Sequence, residues 1–397
     1  MNKEKLWTKN FIALTGANGF LFTGFHCLLP TLPVYAASLG ATGSQIGIVT
    51  GIFGFAAIFV RLFTDTGVRS LGKKKCLYIG LLLSFIATVS YRLFSSIDIL
   101  ILARIIHGFG FGLSTTFAAA IVSDVIPDSR RGEGIGYFGL GSTIAMALAP
   151  ALGVLLLDNY SSISLFAFSA AATCFAILCT KTSNAKEIIP QLPTKALNNS
   201  IKNKLFEHGT GVPAILTILF GVAYGSVNTF IIMMANEAGI ADAGLFFILG
   251  TVFVFISRPF GGRLFDLKGA FWVVLPGAVC FLLSLFILIN SISLQMLLGA
   301  SVLYGLGGGL LLPALMTWTL NLVRSDRRSA ASATFYNMLD IGTSAGIILL
   351  GSVAGSIGYI SMYNYVIYTM IAFIVFFLLQ HFFNPRSKSF AADKNES

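Results

Sequence analysis

The chain has 397 residues, of which 56% are hydrophobic and only 11% charged, with a net charge of +10. Soluble domains carry about 25% charged residues, so an ordinary soluble enzyme, a disordered chain and a secreted disulfide scaffold are all excluded. About 20 apolar residues cross a bilayer, and twelve such spans would leave room only for short loops and tails: the composition is that of an all-α polytopic membrane protein.

In chain order, the apolar runs predict spans over 10–36, 43–65, 76–94, 97–122, 133–157, 163–180, 211–235, 243–262, 271–290, 293–317, 330–353 and 359–383. The first resembles a signal peptide in having Lys3, Lys5 and Lys9 before an apolar run. It is longer than a signal sequence, however, and contains Pro30 and Pro33, so it is read as a retained span. The stretch 181–210 is polar and lysine-rich. The expected domains are therefore a six-helix bundle over 1–180, a cytoplasmic linker over 181–210 and a second bundle over 211–397.

Of the 26 basic residues, only Arg92 stands on the outer side and only Arg104 deep within a span, the other 24 lying in the tails, in the inner loops or at the span ends beside them. The inner side carries a net +13 and the outer side a net −3 on this map. The positive-inside rule then places both termini in the cytoplasm of a multi-pass cell-membrane protein, with a bacterial inner membrane as the expected location. The basic balance thus reports topology, and no nucleic-acid partner is expected. Cys27, Cys76, Cys174, Cys179 and Cys280 are odd in number and lack metal-ligand spacing, so they read as small packed side chains, with no metal expected.

The chain contains an internal repeat. R-L-F-T-D-T-G-V-R-S-L-G from Arg61 matches R-P-F-G-G-R-L-F-D-L-K-G from Arg258, an offset of 258 − 61 = 197. H-G-F-G-F-G from His107 matches Y-G-L-G-G-G from Tyr304, and D-S-R-R-G-E-G from Asp128 matches S-D-R-R-S-A-A from Ser325, both at the same offset. Six spans per half is an even number, so both halves enter the membrane from the same side, as in rocking-bundle transporters. The two glycine runs lie inside apolar spans and therefore read as helix-packing surfaces rather than phosphate loops.

These motifs resemble the major facilitator superfamily, and within it the twelve-span drug:proton antiporter branch. The family's loop signature is matched in the second half by Arg258, Pro259, Gly262, Asp266 and Gly269. In the first half Arg61 and Gly72 stand in register, but Asp65 occupies the glycine position and Arg69 the aspartate position, as an i,i+4 pair. A-R-I-I-H-G around Arg104 resembles the family's proton-transfer motif. Gly136, Pro150 and Gly153 resemble its antiporter motif, with Ala145, Ala149 and Val154 replacing glycines. The resemblance implies twelve helices in two parallel six-helix halves, cytoplasmic gating by the Arg61 and Arg258 loops, and transport by alternating access. It also implies a cavity lined by Asn18, Phe22, His26, Arg104, His107, Phe111, Tyr224, Asn228 and Tyr304. A small-molecule substrate, protons and the lipid bilayer are the expected partners of a monomer that needs no cofactor.

Ionisable groups inside the membrane cost about 2.5–3.5 kcal/mol each at mid-helix and so mark function. Arg104, His107, Phe111 and Ser114 share one helical face, and His26 continues the face of Thr15, Asn18 and Phe22. Asp340, flanked on its face by Asn337 and Ser344, is the one carboxylate near the middle of a predicted span. Asp340, Arg104, His26 and His107 are therefore the proton-coupling candidates, with Asn337 added to the cavity. The expected function is proton-coupled export of small amphipathic organic molecules, with no enzymatic activity. The alternatives are an importer or facilitator of a small nutrient or sugar and, more remotely, a membrane sensor without transport. The topology has a direct check: cysteines introduced at Ala41 and Ala241 are expected to react with an impermeant thiol reagent in intact cells, and one at Lys195 only after permeabilisation.

Overall fold

The computed structural model describes residues 5–64, 70–93, 96–127, 130–183, 206–324 and 327–383. Among the described residues every regular element is a helix, and twelve spans are long and apolar enough to cross a membrane. The first span, Lys9–Ser38, is built from α1 (Lys9–His26) and α2 (Thr31–Ser38). Thr8 starts α1 by accepting from the Phe11 N–H at 3.3 Å. Pro30, which has no N–H to donate, stands at the break, and the Thr31 hydroxyl donates across it to the Cys27 carbonyl at 2.7 Å.

The remaining spans are α3 (Gly43–Arg61), α4 (Lys73–Leu93), α5 (Ile97–Val125), α6 (Arg131–Asn159), α7 (Ser162–Thr182), α8 (Gly211–Glu237), α9 (Leu245–Lys268), α10 (Phe271–Ile289), α11 (Leu294–Asn321), α12 (Arg328–Ile357) and α13 (Tyr359–Phe383). The twelve predicted apolar runs fall on these twelve spans, and most of 181–210 lies outside the described residues. The chain forms two compact units, 1–41 with 48–198, and 42–47 with 199–397. Residues 42–47 group with the second unit through Gly43 and Gly47, which lie against the backbone of α12 at Gly355 and Gly351.

In lipid, apolar surface gains nothing by leaving one apolar phase for another, so helices associate through close backbone packing at small residues. In the first unit α5 supplies Gly108, Gly110 and Gly112. A Cβ on Gly110 would stand 2.6 Å from the Gly80 carbonyl, one on Gly112 would stand 2.7 Å from the Ala57 carbonyl, and one on Gly108 would overlap the Phe53 carbonyl. In the second unit α11 supplies Gly305, Gly307 and Gly309, whose facing backbones are those of Gly250, Gly277 and Val254. Subtracting 197 from 250, 277 and 254 gives 53, 80 and 57, so both units make the same three contacts. The glycine runs are helix-packing surfaces in both.

α6 shows the arrangement most plainly. Ile135, Leu140, Ile144, Leu148, Leu152 and Leu155 are exposed along one side, as a lipid-facing stripe requires. Ala145, Ala149 and Gly153 are turned inward, and a Cβ on Gly153 would overlap the Cys27 carbonyl. In the second unit Gly342 of α12 fits against the Ile218 backbone of α8 in the same way. Leucine at either position is expected to destabilise the detergent-solubilised protein by roughly 1–3 kcal/mol through overpacking. Leucine at Gly136, where a Cβ would meet nothing within 4 Å, should leave the melting temperature unchanged.

Candidate functional site

The first unit gathers five of the sequence candidates into one cluster. Arg104 of α5 is 1% exposed. Its Nε donates to the Val49 carbonyl at 3.0 Å and its Nη2 to the Thr50 carbonyl at 3.2 Å, which ties α5 to α3. The guanidinium lies 4.4 Å from the Phe53 ring centroid and 5.9 Å from that of Phe25, cation–π distances that partly replace the water it has lost. Nη1 is buried without a hydrogen-bond partner.

One helical turn on, His107 Nδ1 and the Tyr91 hydroxyl of α4 share a hydrogen bond of 2.8 Å, and the imidazole meets Phe53 and Phe25 edge-on. Phe111 packs on Phe22, Phe25 and Phe53 with centroids 4.7–5.3 Å apart. His26 turns Nδ1 to the Phe22 carbonyl at 3.0 Å while its ring stacks on Phe22 and meets Phe25 edge-on. Asn18 is buried on α1, one turn before Phe22. Phe25, Phe53 and Tyr91 hold this cluster together, and sequence reading passed over all three. Phe25 sits three residues after Phe22 and one before His26, the one spacing clue; Phe53 and Tyr91 are distant in sequence and carry none.

The repeat separates two tasks of Arg104. Position 104 + 197 is Ser301, whose hydroxyl donates to the Phe246 carbonyl at 2.6 Å, and 246 − 197 is 49. The second unit therefore makes the same helix-to-helix tie with a neutral serine. Holding the helices together does not require a buried cation, so the charge and the open N–H of Arg104 exceed what packing needs.

In the second unit Tyr304 stands at the His107 position. Asn228 Nδ2 donates to the Tyr304 hydroxyl at 2.7 Å and to the Tyr224 carbonyl at 2.8 Å, and the two tyrosine rings stack 6.1 Å apart. Tyr224, Asn228 and Tyr304 are thus brought together, walled by Phe220, Phe246 and Phe281. Arg258 is half-buried inside α9. Its Nε is buried without a hydrogen-bond partner. The loop motif concealed this inward reach. On α12, Asn337 and Ser344 are buried and Asp340 between them is half-buried.

The motif glycines Gly72 and Gly269 both adopt φ near +84°, a left-handed conformation that a side chain would strain, and Gly269 caps α9 by donating to the Phe265 carbonyl at 2.8 Å. Gly262 and Asp266 lie on the last turns of α9, and Arg61 ends α3. Asp65 and Arg69 lie outside the described residues. Pro150 stands inside α6, one turn before the close contact of Gly153. Among the described residues no three His, Cys, Asp or Glu side chains are placed to hold a metal ion. The arrangement offers a buried cation with an open N–H, an aromatic and amide lining, and a carboxylate within a membrane helix.

The Major Facilitator Superfamily model matches residues 14–211 and 213–396. The staphylopine export protein of Staphylococcus aureus is 25% identical over 351 residues, covering 84% of this chain and 86% of its own. The quinolone resistance protein NorA of the same organism is 26% identical over 219 residues, about half of each chain. Among solved structures, the nucleoside transporter NupG superposes with a TM-score of 0.71 at 17% identity, covering 93% of this chain and 99% of that one. A POT family transporter in complex with 5-aminolevulinic acid gives 0.74 at 14% identity, covering 95% and 96%. At such identities these likenesses show the fold.

Arg104→Gln keeps N–H donors for the Val49 and Thr50 carbonyls but removes the charge. It is expected to leave the protein monodisperse in detergent while lowering transport about tenfold or more, equivalent to at least about 1.4 kcal/mol. Transport at the parent rate would reduce Arg104 to the role that Ser301 plays.

Proposed function

Because the chain belongs to the major facilitator superfamily, we propose that it is a proton-coupled exporter of small amphipathic organic molecules, acting by alternating access in the cell membrane with both termini in the cytoplasm. The observation that carries this reading is Asp340. Among the described residues it is the one carboxylate near the middle of a membrane helix, and it is half-buried between the buried polar side chains of Asn337 and Ser344. A carboxyl group there can bind a proton when its surroundings open to one side and release it when they open to the other.

Two observations favour export. The proline of the antiporter-like motif occurs in the first half alone, since the position equivalent to Pro150 is Ile347, and Gly153 makes the close contact of α6 with the Cys27 backbone, just past the end of α1, that such a motif allows. The curated relatives include an export protein and a resistance protein. Uptake of a small nutrient on the same fold is the second reading, favoured by Ala145, Ala149 and Val154 where the antiporter pattern has glycine.

The energetics suffice for export. One charge moving through 100 mV is worth about 2.3 kcal/mol, and at about 1.4 kcal/mol per tenfold a single proton sustains roughly a 40-fold gradient. Each unit by itself presents aromatic faces and an amide, with Arg104 as the cation of the first and Arg258 as that of the second. That lining suits neutral or anionic amphiphiles better than small dications.

In proteoliposomes with an imposed pH difference, a fluorescent quinolone and staphylopine serve as probes. The parent protein is expected to concentrate at least one of them against its gradient. Asp340→Asn should abolish uphill movement while leaving downhill exchange measurable. A variant that still builds a gradient from the pH difference would transfer the proton-carrying role to His26 or His107.

A further inference from the structure

A two-point ion pair in the second unit lies away from the cluster. Glu207, in the turn that leads into α8, is 8% exposed at its side chain. It accepts two hydrogen bonds from Arg327, from Nε at 3.0 Å and from Nη2 at 2.6 Å, in the fork geometry that makes such pairs strong. The Glu207 N–H donates to Thr334 Oγ1 at 2.8 Å, and the Thr210 hydroxyl returns to the Glu207 carbonyl at 2.7 Å. The start of α8 is thereby fastened to the first two turns of α12.

The repeat sets this pair beside a different one at the equivalent arginine of the first half. The position equivalent to Arg327 is Arg130, which pairs with Glu133 three residues along its own chain, at 2.7–2.9 Å. The position equivalent to Glu133 is Ala330, and the position equivalent to Glu207 is Asn10. The same arginine is thus neutralised locally in one half, and in the other by an acid from the segment entering α8. A local pair would serve if charge neutralisation were the whole task.

What the long-range pair adds is a fixed register between α8 and α12. From its far end the two helices continue in backbone contact. A Cβ on Gly221 would stand 2.8 Å from the Leu339 carbonyl, Thr343 donates to the Gly221 carbonyl at 3.3 Å, and Gly342 fits against Ile218. Leu339, Gly342 and Thr343 bracket Asp340, which lies 13 residues, or about 20 Å of helix rise, beyond Arg327. We infer that Glu207 is a positioning residue for the coupling step: with Arg327 it locks α8 and α12 into one piece, so that Asp340 moves with the Tyr224–Asn228 face rather than independently of it. This rests on the transport reading above.

The test has two readouts. Spin labels at Ile215 of α8 and Ala333 of α12, with the five native cysteines replaced, report helix spacing without any substrate. A single narrow distance is expected in the parent, a broadened one in Glu207→Gln and in Arg327→Gln, and a narrow one again in the double variant Glu207→Arg/Arg327→Glu. Proton-driven movement of the fluorescent quinolone in proteoliposomes should lose about tenfold in Vmax, or about 1.4 kcal/mol, with KM unchanged within about twofold. The charge swap should restore most of it, which a loss of folding would not allow. Unchanged distances in the single variants, an unchanged Vmax, or failure of the swap to restore either readout would overturn the inference. A parent protein that moves no probe would instead overturn the export reading, while the label distances would still decide whether the pair fixes the register.

Discussion

The constraint on which the structure depends is that helices in lipid must be held together without a hydrophobic driving force. The chain meets it with backbone-to-backbone contacts at glycine, above all along α5 and α11, where a single Cβ would collide with the carbonyl of the neighbouring helix. Large apolar side chains are free to face outward, as the leucines and isoleucines of α6 do. Many of the buried hydroxyls are tied to a backbone carbonyl of their own helix or a neighbouring one. Arg104 stands out because its charge exceeds what such a tie needs.

Duplication makes the excess visible. At the same places in their repeats the two units carry arginine and serine, histidine and tyrosine, a local ion pair and a distant one. Where partners and geometry agree across the 197-residue offset, the contact belongs to the scaffold. Where they differ, the scaffold requirement is already met by the simpler residue, and the more costly one calls for another reason. An arginine held 1% exposed by two carbonyls and two rings is a costly way to join helices that a serine joins elsewhere.

Much of this was legible in the sequence, because length, hydropathy and period act along the chain. The twelve spans, the offset of 197 and the packing role of H-G-F-G-F-G needed nothing more. The grouping of Arg104, His107 and Phe111 on one face followed from helical spacing. The partners that complete the cluster did not. Phe53 is one of 36 phenylalanines, and nothing local distinguishes it from those that face lipid. Tyr91 finds His107 only because α4 and α5 cross at Gly80 and Gly110. Arg258 was hidden by its own motif, which reads as a loop while the side chain turns inward. Glu207 sat in a stretch that composition alone described as tether. Asp65 and Arg69, where the first-half motif departs from its family, lie outside the described residues.

The grouping of residues 42–47 with the second unit bears on how the protein is made. Chains emerge from the ribosome N-terminus first and fold as they appear. The ties of Arg104 and the glycine contacts of α5 all lie within the first 183 residues, so this part can reach its final packing early. The opening turns of α3 cannot. The backbone that Gly47 rests against includes Gly351, synthesised 351 − 47 = 304 residues later. While those 304 residues are made the start of α3 is a helix end without that neighbour, and it can settle only once α12 has been synthesised.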